Sequence, residues 1–185
     1  MKVTELELEG LKKIELKLHG DARGFFVERY QKERFREAGL PFEFVQDNHS
    51  RSSPGIVRGL HFQTAPAQGK LVGVARGRIW DVAVDIRAGS PTFGRHVAVE
   101  LSDLEGTMLW IPPGFAHGFC VLGSEAADVV YKVDAIYTPA TESGVRWNDP
   151  ELGIAWPVEN PQVSARDAGM PLFSELRRNP PRFVR

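Results

Sequence analysis

Short apolar runs separated by turn residues are the feature of this sequence that most restricts its fold. Thirteen prolines and eighteen glycines are spread along the 185 residues, and they interrupt runs rich in Val, Ile, Leu and Phe. Within one run, Val97, Val99 and Leu101 share a face by the two-residue period of a strand. Many short strands with regular turn signals are typical of a β-sandwich or barrel, so the pattern predicts an all-β fold.

The positions of these turn residues also predict where the strands and helices lie. Strands are predicted at 14–18, 25–29, 42–50, 56–62, 71–76, 78–86, 96–101, 107–111, 115–122 and 128–136. Because only Gly77 separates two of them, we expect a tight hairpin there. One short helix is predicted over 31–38, where Gly39 provides a C-terminal stop. From about Pro157 the chain is expected to form an irregular tail with a short helix over 173–178. The length predicts a single domain, 1–185.

Composition excludes several classes of function. Lys and Arg number 23 and Asp and Glu number 24, so the net charge is 23 − 24 = −1. We therefore expect no binding to nucleic acid or to anionic membranes, since both require a basic excess. Cys120 is the single cysteine, which leaves no intramolecular disulfide and no thiolate zinc cluster. No signal peptide and no apolar run near 18 residues is recognisable, so a cytoplasmic protein is predicted.

Basic residues cluster around one predicted strand. Arg58, Gly59 and His61 stand close together there, and Lys70 begins the next strand. They could form an anion site that contains a base, or a solvated strand end. A regular strand would point Arg58 and His61 to opposite faces. A shared site therefore requires a bulge at Gly59 or a strand that begins late.

His117 follows the turn Pro112-Pro113-Gly114 and is either structural or a donor to a phosphate or a nucleobase. A metal site from His61 and His117 is conceivable, but the sequence has no His-x-His and no carboxylate at a suitable spacing. We therefore predict no bound metal. Cys120 lies in an apolar run and is expected to be a buried hydrophobe.

For two tyrosines and one aspartate, the sequence allows either a structural or a catalytic role. Tyr131 and Tyr137 lie near one extended segment. Tyrosines at strand ends are usually packing residues, although a tyrosine hydroxyl can also act as a general acid. Asp167 belongs to the predicted irregular tail, where a carboxylate is expected to be solvated.

Ten motifs contain most of these residues and several others: Asp21-x-Arg23-Gly24-x-Phe26-x-Glu28, Gln46-x-Asn48-x-Ser50, Val57-Arg58-Gly59-Leu60-His61-Phe62-Gln63, Gly69-Lys70-Leu71-Val72, Asp81-Val82-Ala83-Val84-Asp85-Ile86-Arg87, Ser90-Pro91-Thr92-Phe93-Gly94, Pro113-Gly114-Phe115-Ala116-His117-Gly118-Phe119, Tyr131-Lys132, Trp147-Asn148-Asp149-Pro150 and Ser164-Ala165-Arg166-Asp167. In this order, over about residues 3–170, the chain resembles the dTDP-4-dehydrorhamnose 3,5-epimerase family. The resemblance implies a cupin-like, double-sheet jelly-roll barrel that needs no metal or other cofactor. It also implies a homodimer in which an N-terminal segment crosses to the partner.

The resemblance further implies a reaction and its residues. In dTDP-L-rhamnose biosynthesis, C3 and C5 of dTDP-4-dehydro-6-deoxy-D-glucose are both inverted through an enolate. His61 matches the base, Asp167 the carboxylate that orients it, and Tyr131 the opposed acid. Lys70 matches the cation beside the enolate oxygen.

Substrate binding is implied for a larger set, in which Tyr137 matches the aromatic residue that stacks on thymine. Arg23 and Glu28 are expected to come from the partner chain. The implied substrate-binding residues are Arg23, Glu28, Gln46, Asn48, Arg58, Lys70, His117, Tyr137, Glu142 and Arg166.

Three alternatives remain at the level of the sequence. A 3-only or 5-only epimerase of another dTDP-4-keto-deoxysugar would share most of these motifs. A barrel that only binds a nucleotide sugar would have lost His61, Tyr131 or Asp167, and all three are present. A metal-dependent cupin oxygenase or isomerase would be revived by metal in the purified protein.

Overall fold

The structure is a computed structural model that describes residues 1–184, so Arg185, the last residue of the predicted domain, lies outside the described residues. Within them, the strands are β1 (Lys2–Glu5), β2 (Lys12–Glu15), β3 (His19–Asp21), β4 (Gly24–Phe26), β5 (Gln46–Ser52), β6 (Val57–Gln63), β7 (Lys70–Arg76), β8 (Arg78–Asp85), β9 (His96–Ser102), β10 (Thr107–Ile111), β11 (Phe115–Val121), β12 (Ala127–Val133) and β13 (Glu142–Gly144). The helices are α1 (Lys32–Glu37), α2 (Ala165–Ala168) and α3 (Phe173–Arg178), and Pro139–Thr141 form a 3₁₀ turn.

Two antiparallel sheets face each other, which confirms the predicted all-β, double-sheet fold. One sheet has six strands in the order β1-β2-β10-β7-β12-β5, and the other has five in the order β13-β6-β11-β8-β9. Strands β3 and β4 form a separate two-stranded ribbon. Apolar residues from both sheets, such as Val72 and Val129 from one and Ile79 and Phe119 from the other, form the core between them.

Each sheet is also covered on its outer face. Phe35 of α1 and Leu40 pack on Met108 and Trp110 of the six-stranded sheet. The segment 145–176 packs its apolar residues on the outer face of the five-stranded sheet. Because both sheets are buried on two sides, their strands are more apolar than a simple alternation would give. In residues 1–184, no helix is long and apolar enough to span a bilayer.

Both predicted helices are confirmed, and most predicted strands lie within a few residues of the observed ones. The strands predicted over 25–29 and 42–50 are only partly right: residues 27–29 and 42–45 are not in strands, whereas 25–26 and 46–50 are. Phe42 and Phe44 instead pack on the outside of the six-stranded sheet beside α1. Their apolar character therefore reflects the packing of a loop on the sheet rather than strand pairing. Strands β1, β3 and β13 and helix α2 were not predicted.

The predicted hairpin at Gly77 is wrong. Strands β7 and β8 on either side of it belong to opposite sheets, so the chain crosses from one sheet to the other at this residue. Gly77 has φ +83°, and a Cβ atom there would lie 2.9 Å from the carbonyl oxygen of Ala126. Left-handed backbone and close approach both select glycine at this crossing.

We expect Gly77→Ala to destabilise the fold more than Gly89→Ala, which serves as its matched control. Gly89 has a similar φ of +80° but an open surrounding, so alanine there adds only backbone strain. Strain alone costs about 1 kcal/mol, and crowding at Gly77 should bring the loss of unfolding free energy to about 2–3 kcal/mol. Urea unfolding measures both values. Equal losses in the two variants would show that crowding at the crossing is unimportant.

Candidate active site

A cavity of about 690 Å³ opens between the two sheets. The inner faces of the strands change there from apolar to polar side chains. Along β7, Val74 and Val72 belong to the core, whereas Lys70 faces the cavity. Along β12 the same change occurs between Val129 and Tyr131. The cavity is lined by most of the predicted site residues, namely Gln46, Asn48, Arg58, His61, Lys70, His117, Tyr131, Tyr137, Glu142, Arg166 and Asp167.

His61 and Asp167 form a hydrogen-bonded pair at one wall of the cavity. The Nε2 atom of His61 lies 2.7 Å from Oδ1 of Asp167, and the Gly59 amide donates to Oδ2 of the same carboxylate at 3.2 Å. Burial by itself would raise the pKa of Asp167, but hydrogen bonds from His61, Gly59 and Ser164 lower it below its ordinary value. The carboxylate is therefore held ionised beside the imidazole.

The expectation that Asp167 is solvated is wrong, since the residue is only 4% exposed. It lies in the single-turn helix α2, whose N-cap residue Ser164 accepts a hydrogen bond from the Asp167 amide at 3.0 Å. A parallel bridge between Ile56 and Gln162 brings this part of the tail to β6. The tail is thus fixed against the sheet, and it carries a carboxylate into the cavity wall.

A bulge in β6 lets Arg58 and His61 line the same cavity. His61 is opposite His117 on β11, and Arg58 is opposite Phe119, so three steps along β6 match two along β11. Gly59 has φ +123°, a conformation that favours glycine. Of the two arrangements that the sequence allowed, a bulge at Gly59 or a late strand start, the structure has the bulge, and both side chains face the cavity.

Lys70 and Tyr131 approach from the opposite sheet. Loss of hydration lowers the pKa of Lys70 to about 8, and the carboxylates of Glu142 and Asp81 only partly oppose this. The Lys70 ammonium donates to the carbonyl oxygen of His61 at 3.3 Å, so it reaches across the cavity. Burial and the charge of Glu142 raise the pKa of Tyr131, which keeps its hydroxyl protonated.

His117, which is opposite His61 in the pairing of β11 with β6, belongs to a second His–Asp pair. Its Nε2 atom lies 2.8 Å from Oδ2 of Asp81, whose side chain is wholly buried. The other oxygen, Oδ1, has no hydrogen-bond partner within residues 1–184. Asp81 was not predicted as a site residue, although a carboxylate inside the apolar run of β8 is a visible signal for one. The Nε2 atoms of His61 and His117 are therefore each directed to a different carboxylate and not to one common position.

A polar network of Tyr137, Glu142 and Arg166 lines the exposed end of the cavity, here called its mouth. The Tyr137 hydroxyl donates to Oε2 of Glu142 at 2.7 Å, and Arg166 binds the same oxygen. Burial would raise the pKa of Glu142, but these two donors lower it. On β5, Gln46 accepts a hydrogen bond from the Tyr137 amide at 3.0 Å and donates to Asn48 at 2.8 Å.

Arg23 and Glu28 lie outside this cavity. Arg23 is beside the exposed ribbon and pairs with Asp21 at 2.5 Å, and Glu28 pairs with Arg34 at 2.8 Å. Their expected contribution to a partner's site stays a prediction. Sequence reasoning also missed Gln63, a cavity residue that is 2% exposed.

Comparison with known proteins gives a family for this geometry. The model of the family dTDP-4-dehydrorhamnose 3,5-epimerase matches residues 5–175. The chain belongs to this family. It is 51% identical over 169 residues to dTDP-4-dehydrorhamnose 3,5-epimerase of Shigella flexneri, covering 90% of this chain and 93% of that one. It is 41% identical over 179 residues to dTDP-4-dehydrorhamnose 3-epimerase of Streptomyces niveus, covering 96% and 86%.

A solved structure gives the same result for the 3,5-epimerase fold. The chain is similar to dTDP-6-deoxy-D-glucose-3,5-epimerase of Legionella pneumophila in complex with dTDP-4-keto-L-rhamnose, with a TM-score of 0.92 and 46% identity over 100% of this chain and 99% of that one. The fold is therefore the cupin-like double-sheet barrel of the 3,5-epimerase family. In the described part of the chain, three or more His, Cys, Asp or Glu side chains nowhere come together as a metal-binding group.

We expect Gly118→Ala to disturb this epimerase site, because Gly118 lies against the bulge. A Cβ atom there would be 2.6 Å from the carbonyl oxygen of Arg58 and 3.1 Å from Cα of Gly59. Such overpacking costs about 1–3 kcal/mol of unfolding free energy. In the control Gly20→Ala, the new Cβ atom would lie 3.7 Å from the carbonyl oxygen of Gly24, so the unfolding free energy should change by less than about 1 kcal/mol. Denaturant unfolding compares the two, and a neutral Gly118→Ala would refute the close approach.

Proposed function

We propose that this protein inverts both C3 and C5 of dTDP-4-dehydro-6-deoxy-D-glucose and gives dTDP-4-dehydro-L-rhamnose. One observation carries the proposal: the His61–Asp167 pair faces Tyr131 and Lys70 across a cavity between two sheets. An epimerisation beside a ketone requires a base, an opposed acid and a cation for the enolate oxygen. These four side chains have the corresponding chemistry.

His61 is the proposed base. The protons on C3 and C5 are acidic because both carbons flank the C4 ketone. The ring of His61 is partly open to the cavity, and Asp167 binds its Nε2 atom at 2.7 Å. A buried carboxylate in this position fixes the ring and stabilises the imidazolium that forms when the base takes a proton. Asp167 would thus act through His61.

Tyr131 is the proposed acid, and Lys70 the proposed enolate stabiliser. His61 belongs to the five-stranded sheet and Tyr131 to the six-stranded sheet, so a sugar between the sheets would have one group on each face. Removal of a proton from one face and return from the other inverts the carbon. The Lys70 ammonium, next to the His61 backbone, would stabilise the negative charge on O4.

The nucleotide would occupy the outer part of the cavity. Arg58 and Arg166 provide guanidinium groups for the diphosphate, because planar donors suit phosphate oxygens. Tyr137 is 43% exposed at the mouth, where its ring is available to stack on thymine. Gln46, Asn48, His117 and Glu142 would supply polar contacts to the substrate.

We also propose that two copies of this single-domain chain assemble with exchanged N-terminal segments. Phe25 is 48% and Phe26 69% exposed on the ribbon, which is costly for an isolated chain. Arg23 and Glu28 flank these residues and lie outside their own cavity, so a partner's cavity is their proposed destination. The lone, buried Cys120 is in keeping with a reducing, cytoplasmic environment.

Incubation with dTDP-4-dehydro-6-deoxy-D-glucose in D₂O tests the reaction directly. We expect deuterium at both C3 and C5, because each inverted carbon takes its new proton from a solvent-exchanged group. Proton spectra and mass measure the incorporation. The His61→Asn variant should incorporate none while it still binds dTDP, since the base is lost and the arginines remain.

Other patterns of incorporation would contradict the proposal. Deuterium at C3 alone would instead support a 3-epimerase such as the Streptomyces niveus relative. Deuterium at C5 alone would indicate a 5-only enzyme. A folded protein that binds dTDP and incorporates no deuterium would be a binding module or an enzyme for another sugar.

The pKa of Lys70 predicts the alkaline limit of the reaction. The value of about 8 means that the ammonium loses its proton as the pH rises through this range. Since only the charged form stabilises the enolate, kcat/KM should fall above about pH 8, and Tyr131 does not titrate there because its own pKa is raised. Lys70→Arg retains its charge and should move the alkaline limit upward, even if its maximal rate is lower. An unchanged limit in this variant would assign the titration to another group.

A further inference from the structure

The position of the Tyr137 ring depends on the backbone that carries it. Tyr137 lies in the connection between β12 and β13, at the mouth of the cavity. The residue is 43% exposed, and the hydrogen bond from its hydroxyl to Glu142 holds only the tip of the side chain. An exposed connection of this kind needs specific hydrogen bonds to keep one conformation. The source of those bonds therefore decides how well a stacking ring is preorganised.

The buried side chain of Gln63 hydrogen-bonds to the backbone of both neighbours of Tyr137. Its Nε2 atom donates to the carbonyl oxygen of Ile136 at 3.0 Å, and its Oε1 atom accepts from the amide of Thr138 at 2.7 Å. The second Nε2 proton goes to the carbonyl oxygen of Pro66 at 2.7 Å. One amide group thus joins the Tyr137 connection to the loop 64–67.

The loop 64–67 is tied to the same connection a second time. The Thr64 amide donates to the carbonyl oxygen of Thr141 at 3.1 Å, and the Thr141 hydroxyl donates to the carbonyl oxygen of Ala65 at 2.5 Å. Gln63 is also opposite Glu142 in the β6–β13 pairing, and Glu142 accepts the Tyr137 hydroxyl bond. The two segments therefore form one hydrogen-bonded unit.

A C-terminal strap, residues 182–184, holds the other side of the loop 64–67. The Val184 amide donates to the carbonyl oxygen of Thr64 at 2.9 Å, and its carbonyl oxygen accepts from the Ala67 amide at 2.6 Å. Phe183 packs edge-on against Phe62, with ring centroids 6.1 Å apart. The strap lies beyond residue 175, where the match to the family model ends.

We propose that Gln63 is a positioning residue for nucleotide binding, and that the C-terminal strap supports it by fixing the loop 64–67. Gln63 presets the Tyr137 backbone, so the ring is in place before the thymine arrives. Binding then costs less ordering of the connection. The inference rests on the proposed function, because it takes a thymidine nucleotide as the group that Tyr137 receives.

Binding of dTDP, measured by calorimetry, tests the role of Gln63. Gln63→Met keeps the length of the side chain and removes all three hydrogen bonds. We expect the Kd for dTDP to rise roughly tenfold, in the range expected for the loss of one base–aromatic stack, and KM to rise with it. The value of kcat should fall much less, because the three hydrogen bonds of Gln63 go to Pro66, Ile136 and Thr138 and not to the His61–Asp167 pair.

A separate variant, Val184→Pro, tests the role of the C-terminal strap. Val184→Pro removes the amide that donates to Thr64 and leaves the Gln63 side chain intact. We expect a smaller rise of Kd, roughly threefold, because the loop 64–67 keeps its other bonds. Ser90→Ala is the matched control, since it removes a 2.6 Å hydrogen bond to Asp85 in a loop away from the cavity. It should lower stability while Kd stays unchanged.

A double-mutant cycle decides whether Gln63 acts through Tyr137. In a Tyr137→Ala background, Gln63→Met should change Kd less than about twofold, because the ring that it positions is already absent. A full tenfold effect in that background, or an unchanged Kd in the single variant, would overturn the inference. Either result would leave the deuterium experiment untouched. Failure of the wild-type protein to exchange deuterium would instead refute the proposed function.

Discussion

The close approach of β6 and β11 at Gly59 and Gly118 is the constraint on which the site depends. A Cβ atom on Gly59 would lie 2.5 Å from Cα of Gly118, so neither position has room for a side chain. The contact accompanies the bulge that turns Arg58 and His61 toward one cavity. A strand without it would send one of these two groups into the outer apolar layer.

The same segment explains how a carboxylate can be buried beside His61. Asp167 loses hydration in the wall, and an isolated charge there would be strongly unfavourable. It is compensated by three groups: the His61 ring, the Gly59 amide in the bulge and the Ser164 side chain. The bulge thus serves two purposes, since it aims the proposed base, His61, and donates to the carboxylate proposed to orient it.

The sequence predicted the site better than it predicted the path of the chain. Motifs around His61, Lys70, Tyr131 and Asp167 singled out residues that do line one cavity. The alternation of apolar residues could not tell which strands share a sheet, because burial on both faces looks alike in either sheet. The crossing at Gly77 was therefore misread as a hairpin.

The misread tail has a related cause. Asp167 was expected in solvent because five prolines break the pattern after residue 156. Periodicity describes local structure only, whereas this carboxylate is buried by a contact with β6 that is more than a hundred residues distant in sequence. The bulge, in contrast, was one of two arrangements that the sequence allowed, because Arg58 and His61 cannot share a site on a regular strand.

Glu142 joins the two ends of the cavity electrostatically. At the mouth it accepts hydrogen bonds from Tyr137 and Arg166, which suits it to the nucleotide end. Its charge also raises the pKa of Tyr131 and opposes the lowering of the pKa of Lys70. Because the inside of the cavity is poorly hydrated, such a charge acts over longer distances than in water. A group that neutralises the charge of Glu142 at the mouth is therefore expected to lower the pKa of both Tyr131 and Lys70.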